Sequence, residues 1–95
     1  MALGVIETRG YTAAVEAADA MCKDAQIDVK EVKVPGGGHV TLLTTGEVAA
    51  VTSAVDAGVE AAGRVGGDII SSFVIPNPHQ ELEAYLWKKE ANGIG

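Results

Sequence analysis

Two histidines, one cysteine and a run of three glycines are the residues of this 95-residue chain best equipped for chemistry. His39 stands directly after Gly36-Gly37-Gly38, and His79 follows Pro76-Asn77-Pro78. An imidazole ligates metals and moves protons, but no HExxH, CxxC or closely spaced His/Asp set accompanies either one. Both read as exposed turn histidines, His79 with the option of capping a final helix. Cys22 falls late in a helical segment, on its apolar side. A reactive thiolate wants a neighbouring cation or a helix N-terminus, so Cys22 reads as a buried, inert thiol and Lys23 as a solvated lysine. The glycine run offers backbone N–H groups of the kind that cradle anions. It lacks the GxxxxGK[ST] pattern, however, and joins two strands instead of opening a helix. Taken alone it is a tight turn. Glu16, Asp19, Asp56 and Glu60 read as helix solvent faces or subunit contacts, with no acid and base pair among them. No catalytic set, metal site or cofactor is expected.

The elements that must position these residues follow from hydrophobic period. Residues 3–9 alternate, with Leu3 and Val5 on one face and Gly4 and Ile6 on the other, as a strand ended by Gly10. From Tyr11 the period becomes helical. Tyr11, Ala14, Val15, Ala18, Met21, Cys22 and Ala25 share a face, with Glu16, Asp19, Lys23 and Asp24 mostly off it. Residues 27–34 and 39–45 alternate again, and Pro35-Gly36-Gly37-Gly38 makes the hairpin turn between them. Val48, Val51, Val55, Gly58, Val59 and Ala62 mark a second helix, ended near Gly63 to Gly67. Residues 68–75 form a fourth strand stopped by Pro76 and Pro78. Leu82, Tyr85 and Leu86 suggest a short final helix, which closes a single domain over residues 1–87. Residues 88–95 read as a flexible tail.

The order is βαββαβ. A repeat at an offset of 36 matches Gly10, Ala13, Ala14, Val15 and Ala18 with Gly46, Ala49, Ala50, Val51 and Ala54, at the start of each helix. Two βαβ units joined by a hairpin predict an α+β fold, a ferredoxin-like α/β sandwich with both helices on one sheet face.

Composition narrows the function. A net charge of −6 argues against nucleic acid, whose binding needs clustered cations. No basic amphipathic helix suggests a membrane surface, and no apolar run approaches the roughly 20 residues of a spanning helix. The N-terminus shows no signal-peptide pattern, and a lone cysteine suits a reducing, intracellular setting. Alanine, glycine and valine supply 15, 12 and 12 residues, against four aromatics, Tyr11, Phe73, Tyr85 and Trp87. Small side chains give a thin core, and a thin core invites association with other copies.

Three separated segments carry a resemblance to a known family. GVIETRGYTAAVEAADAMCKDAQI resembles the opening strand and helix of bacterial microcompartment (BMC-domain) shell proteins. GGGHVTLLTTGEVAAVTSAVDAG resembles their pore loop, following strand and second helix, and VIPNPHQELE resembles their I-P-x-P-H segment. Together these cover about residues 2–86 in the family's unpermuted order. The resemblance implies a non-enzymatic subunit that forms homohexamers and tiles with other shell proteins in the bacterial cytoplasm. The shell encloses enzymes and passes small metabolites through a central pore.

Carried over by position, Gly36, Gly37 and Gly38 match the pore loop, with His39 beside it. Lys23 matches the family's edge lysine, and Asn77 and His79 match the segment near the same hexamer–hexamer seam. The resemblance implies backbone N–H groups facing the pore axis, favouring small polar or anionic metabolites. Asn77 stands where the family commonly has an arginine that reaches the neighbouring hexamer. Six residues, Val34 to His39, separate Lys33 from the following strand where the commoner pattern has five, so either the loop is one residue longer or the lysine is out of register, and Pro35 and Gly37 replace an aliphatic and a hydroxyl residue. That departure inclines the reading toward a catabolic, aldehyde-handling compartment over a carboxysome. Two other classes compete: an oligomeric small-molecule-binding regulator on the same fold, and an acylphosphatase-like hydrolase. The hydrolase would want an arginine in its anion-binding loop, and the only arginines are Arg9 and Arg64.

Overall fold

In the computed structural model, which describes residues 1–25, 27–33 and 38–79, each change of hydrophobic period becomes a change of element. The order is β1 (Ala2–Arg9), α1 (Tyr11–Asp24), β2 (Asp28–Lys33), β3 (His39–Gly46), α2 (Val48–Arg64) and β4 (Asp68–Ile75). Boundaries fall within a residue or two of those read from the sequence. Gly10 takes φ 92° at the strand-to-helix reversal, a conformation open to a residue without Cβ. The final helix expected around Leu82, Tyr85 and Leu86, and the tail from residue 88, lie outside the described residues.

The strands form one sheet in the order β2-β3-β1-β4, with every neighbouring pair antiparallel. Each βαβ unit therefore returns its second strand parallel to its first, with a strand of the other unit between them. This is the expected ferredoxin-like sandwich. The register sets Val5 opposite Leu43 and Phe73, and Arg9 opposite both His39 and Asp68.

Both helices cover one face of the sheet. Ala2, Gly4, Ile6 and Thr8 alternate toward them, and α2 rests almost on the backbone of β1. A Cβ built on Gly4 would lie 2.7 Å from Val51 Cγ1 and 2.8 Å from Val55 Cγ2. One on Gly58 would lie 2.8 Å from Ile6 Cδ1 and 2.9 Å from Met21 Cγ, where α1, α2 and the sheet meet. Glycine and alanine thus bring the layers close, and Ile6, Met21, Leu42 and Val51 fill the space between them. Two buried hydroxyls are satisfied: Thr8 Oγ1 donates to the Gly10 carbonyl at 3.1 Å, and Thr44 Oγ1 to the Asp28 carbonyl at 2.7 Å. On the other face Leu3, Val5 and Leu43 form a second buried cluster.

The apolar side expected for α1 divides in two. Ala14 and Met21 are buried, joined by Ala13 and Ala17, whereas Tyr11 and Val15 are 52% and 43% exposed. Cys22 is exposed as well, which corrects the buried thiol read from the sequence. The apolar arc of α1 is wider than the stripe that fits against α2. Contact with Gly67 and Gly58 selects Ala13 and Met21 from that arc. Tyr11, Val15 and Cys22 are left as an outward-facing flank, while Ala18 between them is half-buried against the core. The internal repeat fails at the same point: Val51 is fully buried, but its counterpart Val15 is not.

Candidate functional site

The residues singled out in the sequence collect at the two ends of the sandwich. At one end β1 and β4 meet the base of the glycine loop. Gly38 has φ 68°, and its carbonyl accepts a 2.6 Å hydrogen bond from the Gly10 N–H, tying the loop to the turn before α1. Half-buried His39 opens β3. Gly36 and Gly37 lie outside the described residues. Sequence reasoning missed the neighbours of His39. Arg9 is its partner across β1, and Arg9 Nε lies 3.8 Å from Asp68 Oδ2 on β4, with both side chains largely in solvent. Asp68, Arg9 and His39 therefore form a row across three strands, on the face away from the helices. Only the sheet register could have found it, because nothing in their spacing links them. A cleft of about 240 Å³ adjoins this row, lined by Arg9, Asp68, the first residues of α1 and Gly66-Gly67.

Lys23, Asn77 and His79 lie at the other end. Asp28, which follows α1, pairs with Thr45, Thr45 with Leu3, and Leu3 with Ile75. Lys23, five residues before Asp28, and Asn77, two residues after Ile75, thus lie toward the same end of the strands, by the two outer strands of the sheet. Lys23 Nζ pairs with Asp19 Oδ2 at 2.9 Å, one helical turn away, and both remain exposed. The hydrogen bond that Lys23 donates to Asp19 chiefly, then the charge of Asp19, raise the Lys23 pKa; desolvation opposes this and Glu16 adds to it. Asn77 and His79 are exposed. From His39 to Gly46, β3 spans about 23 Å at 3.3 Å per residue, which is the separation of the two ends.

Among the described residues no cluster of His, Cys, Asp and Glu could hold a metal ion, and no helix is long and apolar enough to cross a membrane. Glu16, Asp19, Asp56 and Glu60 all face solvent, as expected.

What the surface does present is contact area. β4 is an edge strand whose Ile70, Phe73 and Ile75 are 41%, 47% and 36% exposed, and the flank of α1 adds Tyr11 and Val15. The described fold is thus a split βαβ sandwich that leaves apolar side chains exposed on edge strand β4 and on the flank of α1. The chain belongs to the BMC-domain family, whose pattern matches residues 2–78. It is 48% identical over 86 residues to carboxysome shell protein CsoS1A of Hydrogenovibrio crunogenus, covering 90% of each chain. It is equally similar to a probable carboxysome shell protein, CsoS1E, of Prochlorococcus marinus, of which it spans 42%. The crystal structure of a microcompartment protein from Desulfitobacterium hafniense superposes with a TM-score of 0.77 at 39% identity, over 86% of this chain and 46% of that one. These relatives bear the names of shell and microcompartment proteins, not of enzymes.

Proposed function

We propose that this chain is a structural shell subunit of a bacterial microcompartment in the cytoplasm. It forms cyclic hexamers that tile with other shell proteins around encapsulated enzymes. Gly36, Gly37, Gly38 and His39 line a central pore for small polar or anionic metabolites, and Lys23, Asn77 and His79 lie along the seam between hexamers. The observation that carries this reading is the apolar surface left outside a finished fold. Tyr11 and Val15 on α1, and Ile70, Phe73 and Ile75 on edge strand β4, make a monomer prone to association and a subunit ready for lateral packing. The placement of the loop and the seam residues at opposite ends supports it, since a tile needs its opening and its rim apart. The carboxysome names of the curated relatives favour a carboxysome shell over the catabolic compartment to which the loop departure inclined.

Native mass spectrometry and negative-stain microscopy test the proposal. Rings that extend into sheets or tubes are the expected result. A discrete smaller oligomer whose melting temperature rises with a small ligand would instead establish the regulator reading.

A further inference from the structure

We infer that copies of this chain meet front to back, the edge of β4 on one copy packing against the outward flank of α1 on the next. The inference rests on the ring reading and deepens it, by naming the two surfaces that each copy gives its neighbours. Tyr11, Val15 and Cys22 are exposed on α1, and Ile70, Phe73 and Ile75 on β4. The two sets stand on opposite sides of the domain. α2 packs over β1 and β4, whereas α1 packs over β1, β3 and β2. α1 turns Ala13 toward Gly67, just past α2, and Met21 toward Gly58 within it. At 3.6 residues per turn the flank of Tyr11, Val15 and Cys22 lies about 140° round the helix from those two, so it faces away from α2 and β4.

Both surfaces also share one level along the strands. α1 begins just after Arg9, whose partner on β4 is Asp68, and like β4 it runs back along the sheet toward the end where Ile75 pairs with Leu3. From Tyr11 to Cys22 the helix rises about 16 Å, and from Ile70 to Ile75 the strand spans about 16 Å. Strips of equal length at one level meet without a step, so front-to-back contacts close into a ring; a step would wind them into a filament. Residues 69–75 are uncharged, as are Tyr11, Val15 and Cys22, so copies of net charge −6 join here without desolvating an ion. The edge of β4 is unfit for adding another strand. Glu7 pairs with Ser71 and Thr8 with Ile69, which leaves Ile70 as the extra residue of a bulge. The opposite edge strand, β2, reads DVKEVK, and its charges resist strand addition as well. The domain measures 19 Å and 31 Å in its two shorter dimensions, so one edge face offers about 600 Å² to a neighbour. A copy in a ring makes two such contacts, together above the roughly 800 Å² that each partner gives to a stable interface.

Cys22 is the only cysteine, which makes it a probe of what lies against α1. Ser72→Cys, Phe73→Cys and Ile75→Cys, all at exposed positions of β4, are made singly, and the purified full-length oligomers are oxidised and run on non-reducing gels. A disulfide forms only where the two Cα atoms approach within about 7 Å. At least one variant should give a ladder of covalent dimers, trimers and larger species up to the whole ring, and adding Cys22→Ser should abolish it. A two-fold contact would stop at dimers. Val15→Glu and Phe73→Glu should each weaken the ring about ten-fold or more by sedimentation, with far-UV circular dichroism unchanged because both side chains are exposed. Val15→Lys combined with Phe73→Glu should recover part of that loss, since the two new charges would face each other across the contact. Intact rings that give no ladder from any of the three variants, or a ladder that stops at dimers, overturn the inference and leave the ring standing. Absence of any wild-type ring by native mass spectrometry overturns the ring reading and this inference together.

Discussion

Adding one methyl group at Gly4 should cost about 2 kcal/mol, and the same change at Gly58 should cost far less. A Cβ at Gly4 meets Val51 Cγ1 at 2.7 Å, Val55 Cγ2 at 2.8 Å and Thr44 Cγ2 at 3.0 Å. All three belong to β-branched side chains with few alternative rotamers, held between α2 and β3. Overpacking of this kind costs about 1–3 kcal/mol, and three stiff contacts place Gly4→Ala near the top of that range. Loss of glycine's extra freedom in the unfolded chain offsets about 0.5–1 kcal/mol of it. At Gly58 the obstacles are Ile6 Cδ1 at 2.8 Å and the flexible thioether of Met21. Replacing a mid-helix glycine by alanine also contributes about 1 kcal/mol in favour of the fold. The net change for Gly58→Ala is therefore within about 1 kcal/mol of zero.

Urea unfolding at matched subunit concentration reads both, because association adds to apparent stability. For a domain of this size the Gly4→Ala loss corresponds to a drop of about 8–16 °C in Tm. Adding Val51→Ala should recover part of the loss, with a coupling of at least about 1 kcal/mol in the double-mutant cycle. A Gly4→Ala protein within about 0.5 kcal/mol of wild type, or a Gly58→Ala protein less stable than Gly4→Ala, would refute the reasoning.

Gly67→Ala should be the most damaging of the glycine changes, at about 3 kcal/mol. Its Cβ would overlap Ala13 Cβ and lie 3.0 Å from the Ala62 carbonyl oxygen, a backbone atom that no rotamer change can move; partial rescue by Ala13→Gly in thermal melts checks the cause. Asp19→Asn should lower the Lys23 titration midpoint followed by NMR, since Asp19 is the main group raising it. A cation whose folded pKa is raised lends stability below its unfolded pKa and loses it as pH rises through the folded one. For Lys23 that window lies above its ordinary 10.5, so its positive charge persists throughout the neutral range; an unmoved midpoint would discard the ion pair. Asn77→Arg should enlarge two-dimensional sheets seen by electron microscopy at matched concentration, because a guanidinium offers a fork of donors where the short amide does not. Sheets of unchanged size would remove Asn77 from the seam.

The sequence by itself determined the order and bounds of the described elements. Alternation in residues 3–9, the helical spacing after Tyr11 and the stop at Pro76 are local patterns, set by neighbours along the chain. It also carried the family, because the glycine run, the helix beginning at Tyr11 and the Pro76-Asn77-Pro78-His79 segment survive as contiguous motifs. Only the tertiary structure decided which part of α1 is inside. Periodicity marks an apolar arc but not its orientation, and that was settled by glycines far along the chain, Gly67 against Ala13 and Gly58 against Met21. Cys22 and Val15 were misplaced for this reason. The row of Asp68, Arg9 and His39 was equally invisible beforehand, since the register that joins three strands is a property of the folded sheet. A one-residue slip would have sent the three to opposite faces.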